Sequence, residues 1–108
     1  MSRLQEPSFL ILTALAAGAQ HGYGIIKDVQ ALSDGAVVLR VGTLYGALDR
    51  LAETGLVVID REEVVDSRLR RYYRLTPAGT EQLAAEAARH QRQAAAALRR
   101  LRGTEAPA

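Results

Sequence analysis

The stretch GTLYGALDRLAETGL, which covers residues 42–56, decides which fold the chain can adopt. Its apolar residues recur at the three- and four-residue spacing of one face of an α-helix: Leu44, Leu48 and Leu51. A helix with this spacing buries its leucine face and leaves the opposite face exposed. Gly55 ends the pattern, because glycine tolerates the left-handed conformation in which many helices stop. We therefore predict an amphipathic helix over about residues 42–54.

Two further helices are predicted upstream of this stretch. Residues from Pro7 to Ala17 are apolar nearly all round, and proline suits the first turn of a helix. Residues from Gly22 to Leu32 keep their apolar positions at helical spacing until residues 33–35 break the pattern. The first helix is expected to be buried and the second to be amphipathic. His21 is interpreted as a capping or packing residue, and Tyr23 as a side chain that packs between helices.

A hairpin is predicted downstream of the stretch. The segment from Leu56 to Ile59 is short and rich in β-branched residues. In the segment from Leu69 to Leu75, successive side chains alternate between two faces as in a strand, and a charged segment lies between the two. The sequence has no tight two-residue turn signal, so we expect a connection of several residues.

A long helix follows the hairpin. Thr76 and Pro77 predict its start, with threonine as the cap and proline in the first turn, and no helix breaker occurs before Gly103. At ~1.5 Å per residue this helix is about 39 Å long. One side of it carries a seam with the four-three spacing of paired helices: Leu83, Ala87, His90, Ala94, Ala97 and Leu101, with Leu98 beside them. We expect this seam to join two copies of the chain.

The element order predicts a mainly α protein with a small β part: a winged helix-turn-helix with a two-stranded wing and a long C-terminal dimerisation helix. Helix-turn-helix modules place the third helix of such a set in the major groove of DNA. The segment over about 42–54 is then the recognition helix, and about 57–75 is the wing. We expect a DNA-binding domain over residues 1–76, a dimerisation helix over 77–103 and a disordered tail over 104–108.

Composition excludes several other classes of protein. The chain has 108 residues and no cysteine, so it can form one domain but no disulfide and no thiolate metal site. His21 and His90 lie far apart in the sequence, so neither a metal nor a cofactor is expected. No apolar run approaches the ~18 residues of a membrane span, and no secretion signal is present. We expect a cytoplasmic protein without membrane contact.

An enzyme is not expected either. The sequence has no glycine-rich phosphate loop, no nucleophile with a partner base, and no pair of carboxylates on one helix face.

The net charge is only +2, but arginine supplies nearly all of the positive charge. On the wing, we expect Arg68 and Arg70 to contact the DNA backbone or the minor groove. The alternative is a solvated edge hairpin whose charges prevent aggregation.

The side chains away from the leucine face of the recognition helix are candidate DNA contacts. Thr43 can cap the helix, next to free amides that favour a phosphate. Tyr45 offers a hydroxyl to a phosphate, and Arg50 offers a planar fork to a phosphate or a guanine. A half-buried core tyrosine and a solvated arginine are the alternatives. Gly46 allows close approach of the backbone to the groove, and Asp49 is interpreted as a partner of Arg50 rather than a base contact.

Three strings of the sequence occur in order and at fixed spacing: HGYGII at 21–26, GTLYGALDRL at 42–51 followed by Glu53, Gly55 and Leu56, and RRYYRLT at 70–76 with Gly79. Together they resemble the PadR family of bacterial regulators. The resemblance implies a winged-helix repressor whose C-terminal helix pairs two subunits and which often responds to a small molecule. The chain departs from the family at Gly46, where proline is common, and at Val41, where a small polar residue or proline is usual.

The element order and the resemblance favour a homodimer that binds an inverted-repeat operator in double-stranded DNA, with two recognition helices about 34 Å apart. A small-molecule effector of unknown identity would act by changing the splay of the two subunits. Two alternatives stay open. One is a winged-helix module for protein–protein interaction without DNA binding, which the wing acids Glu62, Glu63 and Asp66 allow. The other is a MarR- or ArsR-like regulator.

Overall fold

A computed structural model describes residues 3–105. The chain forms four helices and three strands, in this order: α1 (Glu6–Ala16), β1 (Gln20–His21), α2 (Gly22–Leu32), α3 (Val41–Glu53), β2 (Val57–Val65), β3 (Arg68–Leu75) and α4 (Pro77–Glu105). The mainly α winged-helix architecture with a long last helix is confirmed. Helix α4 continues through Glu105, past the predicted end at Gly103. Of the tail predicted to be disordered, residues 106–108 lie outside the described residues.

The core forms where α1, α2 and α3 meet the base of the sheet. Its largest fully buried side chains come from these three helices: Ile11, Leu12, Ile25, Val29, Leu44 and Leu48. The leucine face of α3 is buried as predicted, and α1 is buried on several sides, as its uniform apolar sequence requires. Val57 and Tyr73 join the two wing strands to this core. Within residues 3–105, no helix is long and apolar enough to cross a membrane.

The sheet has three antiparallel strands in the order β1-β3-β2. Strand β1, which was not predicted from the sequence, places Gln20 opposite Tyr73 and His21 opposite Tyr72. Two residues are too few to show the alternation by which a strand is recognised from sequence. By pairing with β3, this short strand fixes the start of α2 against the base of the wing.

The expected connection of several residues in the hairpin is wrong. Val65 pairs directly with Arg68, and Asp66 and Ser67 form a two-residue turn with φ of 52° and 64°. Two consecutive left-handed residues give a turn whose twist matches that of the strands. Aspartate tolerates this conformation although it is not glycine. The charged segment before the turn is therefore strand, with Glu62 opposite Arg71.

Side chains cap two of the helices. The Nδ1 atom of His21 accepts a hydrogen bond of 3.4 Å from the Gly24 amide at the start of α2, and Thr76 Oγ1 accepts one of 3.0 Å from the Gly79 amide in α4. Both capping predictions are confirmed. The cap expected from Thr43 is wrong, because α3 begins earlier, at an N-cap of Arg40 without a side-chain cap.

Tyr23 does not pack between helices as expected, because 67% of it is exposed. It lies in the first turn of α2 on the side away from the core, and Lys27 Nζ lies 5.6 Å from the centre of its ring. The periodicity of α2 shows which residues are buried, but it does not show which exposed aromatic side chains have a neighbour.

Gly79 is a point of close contact between α4 and the chain that enters the wing. A Cβ atom at this position would lie 2.0 Å from the carbonyl oxygen of Leu56. The same carbonyl accepts a hydrogen bond of 3.1 Å from the Thr76 amide, so it cannot move away without breaking that bond. Only glycine fits here.

Gly79→Ala should therefore lower the free energy of unfolding by about 3 kcal/mol, because a rigid backbone contact has to open. Gly103→Ala is the matched control in the same helix, because a Cβ atom there meets nothing within 4 Å. That control should be neutral or stabilising by up to about 1 kcal/mol. Urea denaturation at one protein concentration measures both. Equal stabilities of the two variants would contradict the close contact.

His21 should make stability depend on pH. Burial, and then the positive charge of Arg70, hold the pKa of His21 below its usual value, so the unfolded chain takes up this proton first as pH falls. Stability is then constant above the unfolded pKa of about 6.5 and decreases below it. His21→Asn retains a capping oxygen without a titrating ring. The free energy of unfolding of the wild type and of His21→Asn is measured by urea denaturation at several pH values. If the two free energies change in parallel from about pH 7.5 to pH 5, His21 does not have this role.

Candidate nucleic-acid interface

A cleft of about 550 Å³ lies between the start of α2, the first turns of α3 and the tip of the wing. Three secondary-structure elements that are distant in sequence meet there. The lining contains one carboxylate, that of Asp66, and as possible hydrogen-bond donors one histidine, two tyrosines and three arginines: His21, Tyr23, Tyr45, Arg68, Arg70 and Arg71. These side chains carry the donors that bind phosphates in protein–DNA complexes.

Tyr45 forms the floor between α3 and α2. Its hydroxyl oxygen lies 2.6 Å from the position that a Cβ atom on Gly22 would occupy, so the ring fits against α2 only because residue 22 is glycine. The side chain remains 38% exposed. Tyr45 is thus half-buried and also open to the cleft, and its contact with a DNA phosphate stays a prediction.

Tyr73 lies behind this floor and is buried. Burial raises the pKa of Tyr73, and Tyr45 adds to the rise, whereas the hydrogen bond and charge of Arg71 oppose it. The phenol therefore remains neutral at physiological pH. It anchors β3 to the core.

The arginines of the wing fall into two groups. The first group is paired with wing acids: Arg71 Nε lies 3.5 Å from Glu62 Oε2, and Arg74 Nε lies 3.3 Å from Asp60 Oδ1. The second group consists of Arg68 and Arg70, which make no ion pair within residues 3–103. Arg68 is exposed and Arg70 is half-buried, and both line the cleft.

Arg61 and Tyr72 complete the paired part of the wing. The Tyr72 hydroxyl donates a hydrogen bond of 2.7 Å to Glu63 Oε1, and the guanidinium of Arg61 lies 3.9 Å from the centre of the Tyr72 ring. Glu62 and Glu63 are therefore engaged inside the wing. Of the three acids offered in the sequence analysis as contacts for a protein partner, these two already have partners of their own, and the third, Asp66, lies in the turn of the wing.

The exposed face of α3 consists mainly of glycine and acidic residues. At 100° per residue, the positions opposite the buried leucines are Gly42, Gly46, Asp49 and Glu53. A Cβ atom on Gly42 would meet nothing within 4 Å, and one on Gly46 would meet only Arg50 Nη1 at 3.6 Å. The backbone in the first two turns of α3 is therefore open to close approach.

Arg50 and Thr43 lie on the flank of α3 opposite to Tyr45. The Arg50 side chain reaches back along its own helix toward Gly46 and borders a second cleft with Thr54 and the N-terminal residues Arg3 and Leu4. The expected pairing of Asp49 with Arg50 is wrong: no ion pair or hydrogen bond joins them. Both side chains are exposed.

His21 and Tyr23 are cleft residues that the sequence analysis did not assign to the interface. Both belong to the HGYGII string, but His21 was interpreted as a capping or packing residue and Tyr23 as a side chain that packs between helices. Their position beside Arg70 depends on the pairing of β1 with β3. A contact between two segments about fifty residues apart leaves no periodic signal in either of them.

Helix α4 changes character along its length. Its first half packs on the domain: Leu83 contacts the core, and the ring of His90 lies 4.6 Å from that of Phe9. Its second half extends away from the domain, where Leu98 and Leu101 are 56% and 61% exposed. Ala87 and Ala94, also on the predicted seam, are exposed.

A buried carboxylate supports the packed half of α4. Glu86 is 7% exposed and pairs with Arg89, while His90 Nε2 lies 3.9 Å from the same oxygen. This cluster lies on the side of the helix that faces α1. Within residues 3–103, no group of three histidine and acidic side chains could hold a metal ion.

Comparison with known proteins agrees with this architecture. The sequence profile described as "Transcriptional regulator PadR-like family" matches residues 11–85. The transcriptional regulator Rv3488 of Mycobacterium tuberculosis is 46% identical over 69 residues, which are 64% of this chain and 61% of that protein. The chain spans between 23% and 61% of the length of the curated relatives it matches.

Solved structures share the fold. A PadR family regulator from Clostridium difficile superposes with a TM-score of 0.75 at 24% identity, covering 90% of this chain and 99% of that one. Bacillus subtilis PadR, solved in complex with operator DNA, superposes with a TM-score of 0.66 at 21% identity over 75% of this chain and 46% of that one.

The family profile covers more than two thirds of the chain and includes all three sequence strings from which the resemblance was drawn. It therefore excludes the MarR- or ArsR-like alternative, and it agrees with the expectation that the protein is a regulator rather than an enzyme. The chain belongs to the PadR-like family of transcriptional regulators.

Proposed function

We propose that this protein binds double-stranded operator DNA as a homodimer and acts as a repressor, with α3 in the major groove and the wing on the backbone or in the minor groove. One observation carries the proposal: Arg68 and Arg70, which make no ion pair within residues 3–103, lie with Tyr23 and Tyr45 around the cleft next to α3. Bacillus subtilis PadR, which shares this fold, was solved in complex with operator DNA, and this supports operator DNA as the ligand.

The side chains have distinct roles in this proposal. Arg68 and Arg70 hold phosphates at the wing, and the hydroxyl of Tyr45 donates to a phosphate beside α2. Thr43 and Arg50 contact the backbone along the opposite flank of α3. Gly46 brings the helix backbone close to the base edges.

Dimerisation through α4 gives the DNA contact its symmetry. The half of α4 that extends beyond the domain presents exposed Leu98 and Leu101 beside Ala94 on one seam. Pairing two such seams buries apolar surface that a monomer leaves in water. The dimer places two recognition helices on successive major grooves about 34 Å apart, so the operator is an inverted repeat.

The two parts of the chain have different roles in this proposal. Residues 1–76 bind DNA, and residues 77–103 hold the two subunits together. A small molecule that binds between the subunits alters the angle between the two α4 helices and with it the spacing of the recognition helices.

A cytoplasmic location remains a prediction. The alternative of a protein-binding module is less favoured, because Glu62 and Glu63 have partners within the wing.

Arg68→Ala and Arg70→Ala should each weaken binding to both specific and random duplexes, because phosphates carry no sequence information. Each should also reduce the slope of log affinity against log salt by about 0.9 for every phosphate that the variant no longer neutralises. Arg74→Ala is the matched control on the same strand, since Arg74 pairs with Asp60 and does not line the cleft. Fluorescence anisotropy at several salt concentrations measures all four proteins.

The duplexes for this titration are the DNA upstream of the protein's own gene and a scrambled version of it. Unchanged affinity and slope for Arg68→Ala and Arg70→Ala would remove the wing from the DNA contact. Wild-type protein that binds neither duplex at low salt would overturn the proposed function.

Replacing Leu98 and Leu101 together by aspartate should convert the dimer to monomer, because two carboxylates per subunit would have to be buried in the seam. Ala85→Asp with Ala88→Asp adds the same charge at exposed positions of α4 outside the seam and should leave the dimer intact. Sedimentation velocity distinguishes the two. A dimer that survives the leucine replacements would show that the interface lies elsewhere.

A further inference from the structure

We infer that Asp49 determines the base specificity of this regulator, and that it recognises cytosine through the N4 amino group at one position of each operator half-site. The inference rests on the proposed function, in which α3 lies in the major groove. It assigns to Asp49 a direct role in base recognition, in place of the local pairing with Arg50 expected from the sequence.

The position of Asp49 on α3 is the first argument. The buried residues of the helix define the side that faces the core: Leu44, Ala47, Leu48 and Leu51. At 3.6 residues per turn, Asp49 lies within roughly 30° of the direction opposite to them. Because the leucine face packs on the domain, this direction points into the major groove when α3 binds DNA. Arg50 and Tyr45 lie on the two flanks, where the phosphate backbones run.

The two glycines that precede Asp49 on this face are the second argument. Gly42 and Gly46 offer no side chain, and a Cβ atom at either position would meet no backbone of the domain within 4 Å. The helix can therefore approach the floor of the groove at its N-terminal end. Along this line, the first side chain with a hydrogen-bonding group is the carboxylate of Asp49.

The electrostatic state of Asp49 is the third argument. The acids on strand β2 of the wing are neutralised by neighbours, as Asp60 is by Arg74 and Glu62 by Arg71. Asp49 makes no ion pair and no hydrogen bond within residues 3–103. A carboxylate without an ion-pair partner is repelled by DNA phosphates, so it opposes binding unless a donor on a base compensates for the repulsion.

The chemistry of the base edges then selects cytosine. A carboxylate only accepts hydrogen bonds. In the major groove, guanine and thymine present acceptors, and adenine places the N7 acceptor beside its N6 donor. Cytosine presents the N4 donor without an adjacent acceptor on the same base. Asp49 therefore favours cytosine over the other bases, and part of the specificity arises from rejection of guanine and thymine.

The test is selection from a pool of duplexes with a randomised central region, with sequencing of the DNA bound by each protein. The variants are Asp49→Ala and Asp49→Asn, with Glu53→Ala as the matched control one turn further along the same exposed face. Asp49 is exposed, and alanine and asparagine are at least as compatible with a helix, so thermal melting should be close to that of the wild type.

The wild type should enrich a motif with a cytosine at one fixed position of each half-site, and Glu53→Ala should enrich the same motif. Asp49→Ala should reduce the preference for cytosine at that position by about tenfold. Asp49→Asn should move it toward adenine, since asparagine pairs with the N6 and N7 atoms of adenine. Both variants should bind scrambled duplex more tightly than the wild type.

Two outcomes would overturn the inference, and they are distinguishable. If the wild type enriches a motif and Asp49→Ala enriches it with the same cytosine preference, base recognition by Asp49 is wrong while operator binding stands. If the wild type enriches no duplex, the proposed function fails and the inference fails with it.

Discussion

Burial of the leucine face of α3 is the constraint on which the rest of the molecule depends. Leu44 and Leu48 are fully buried, and each contributes about 1.5–3 kcal/mol by leaving water. Because these side chains must point inward, the helix can present only its opposite face to the outside. That face contains Gly42, Gly46 and Asp49, so packing of the core orients the proposed recognition surface without any contact from that surface itself.

Pairing within the wing decides which charges remain available. The antiparallel register places Glu62 opposite Arg71, and the acids of β2 neutralise some of the wing arginines, including Arg74. Arg68 and Arg70 lie on the part of β3 that faces the cleft. The short strand β1 brings His21 to the same place, where its neutral ring caps α2 next to Arg70. One three-stranded sheet thus connects the helical core with the basic cleft.

The sequence predicted the structure correctly wherever a periodic pattern indicates which side chains are buried. The leucine spacing of α3, the second wing strand β3, and the cap formed by Thr76 all emerged correctly, because each depends on residues a few positions apart. It failed where the deciding partner is distant or the signal is short. The two-residue strand β1 and the turn at Asp66 and Ser67 were missed, and the expected Asp49–Arg50 pair does not form because Arg50 turns toward Gly46.

The sequence by itself determined the order of the helices and the wing, the buried faces of α1, α2 and α3, and membership of the family, because local spacing and three fixed strings encode these properties. Only the tertiary structure decided which exposed side chains share a surface. Tyr23 and Arg68 are 45 residues apart, yet they line one cleft, and Tyr45 packs against Gly22 at its edge. Such proximity arises from chain packing, for which neither composition nor periodicity contains a signal.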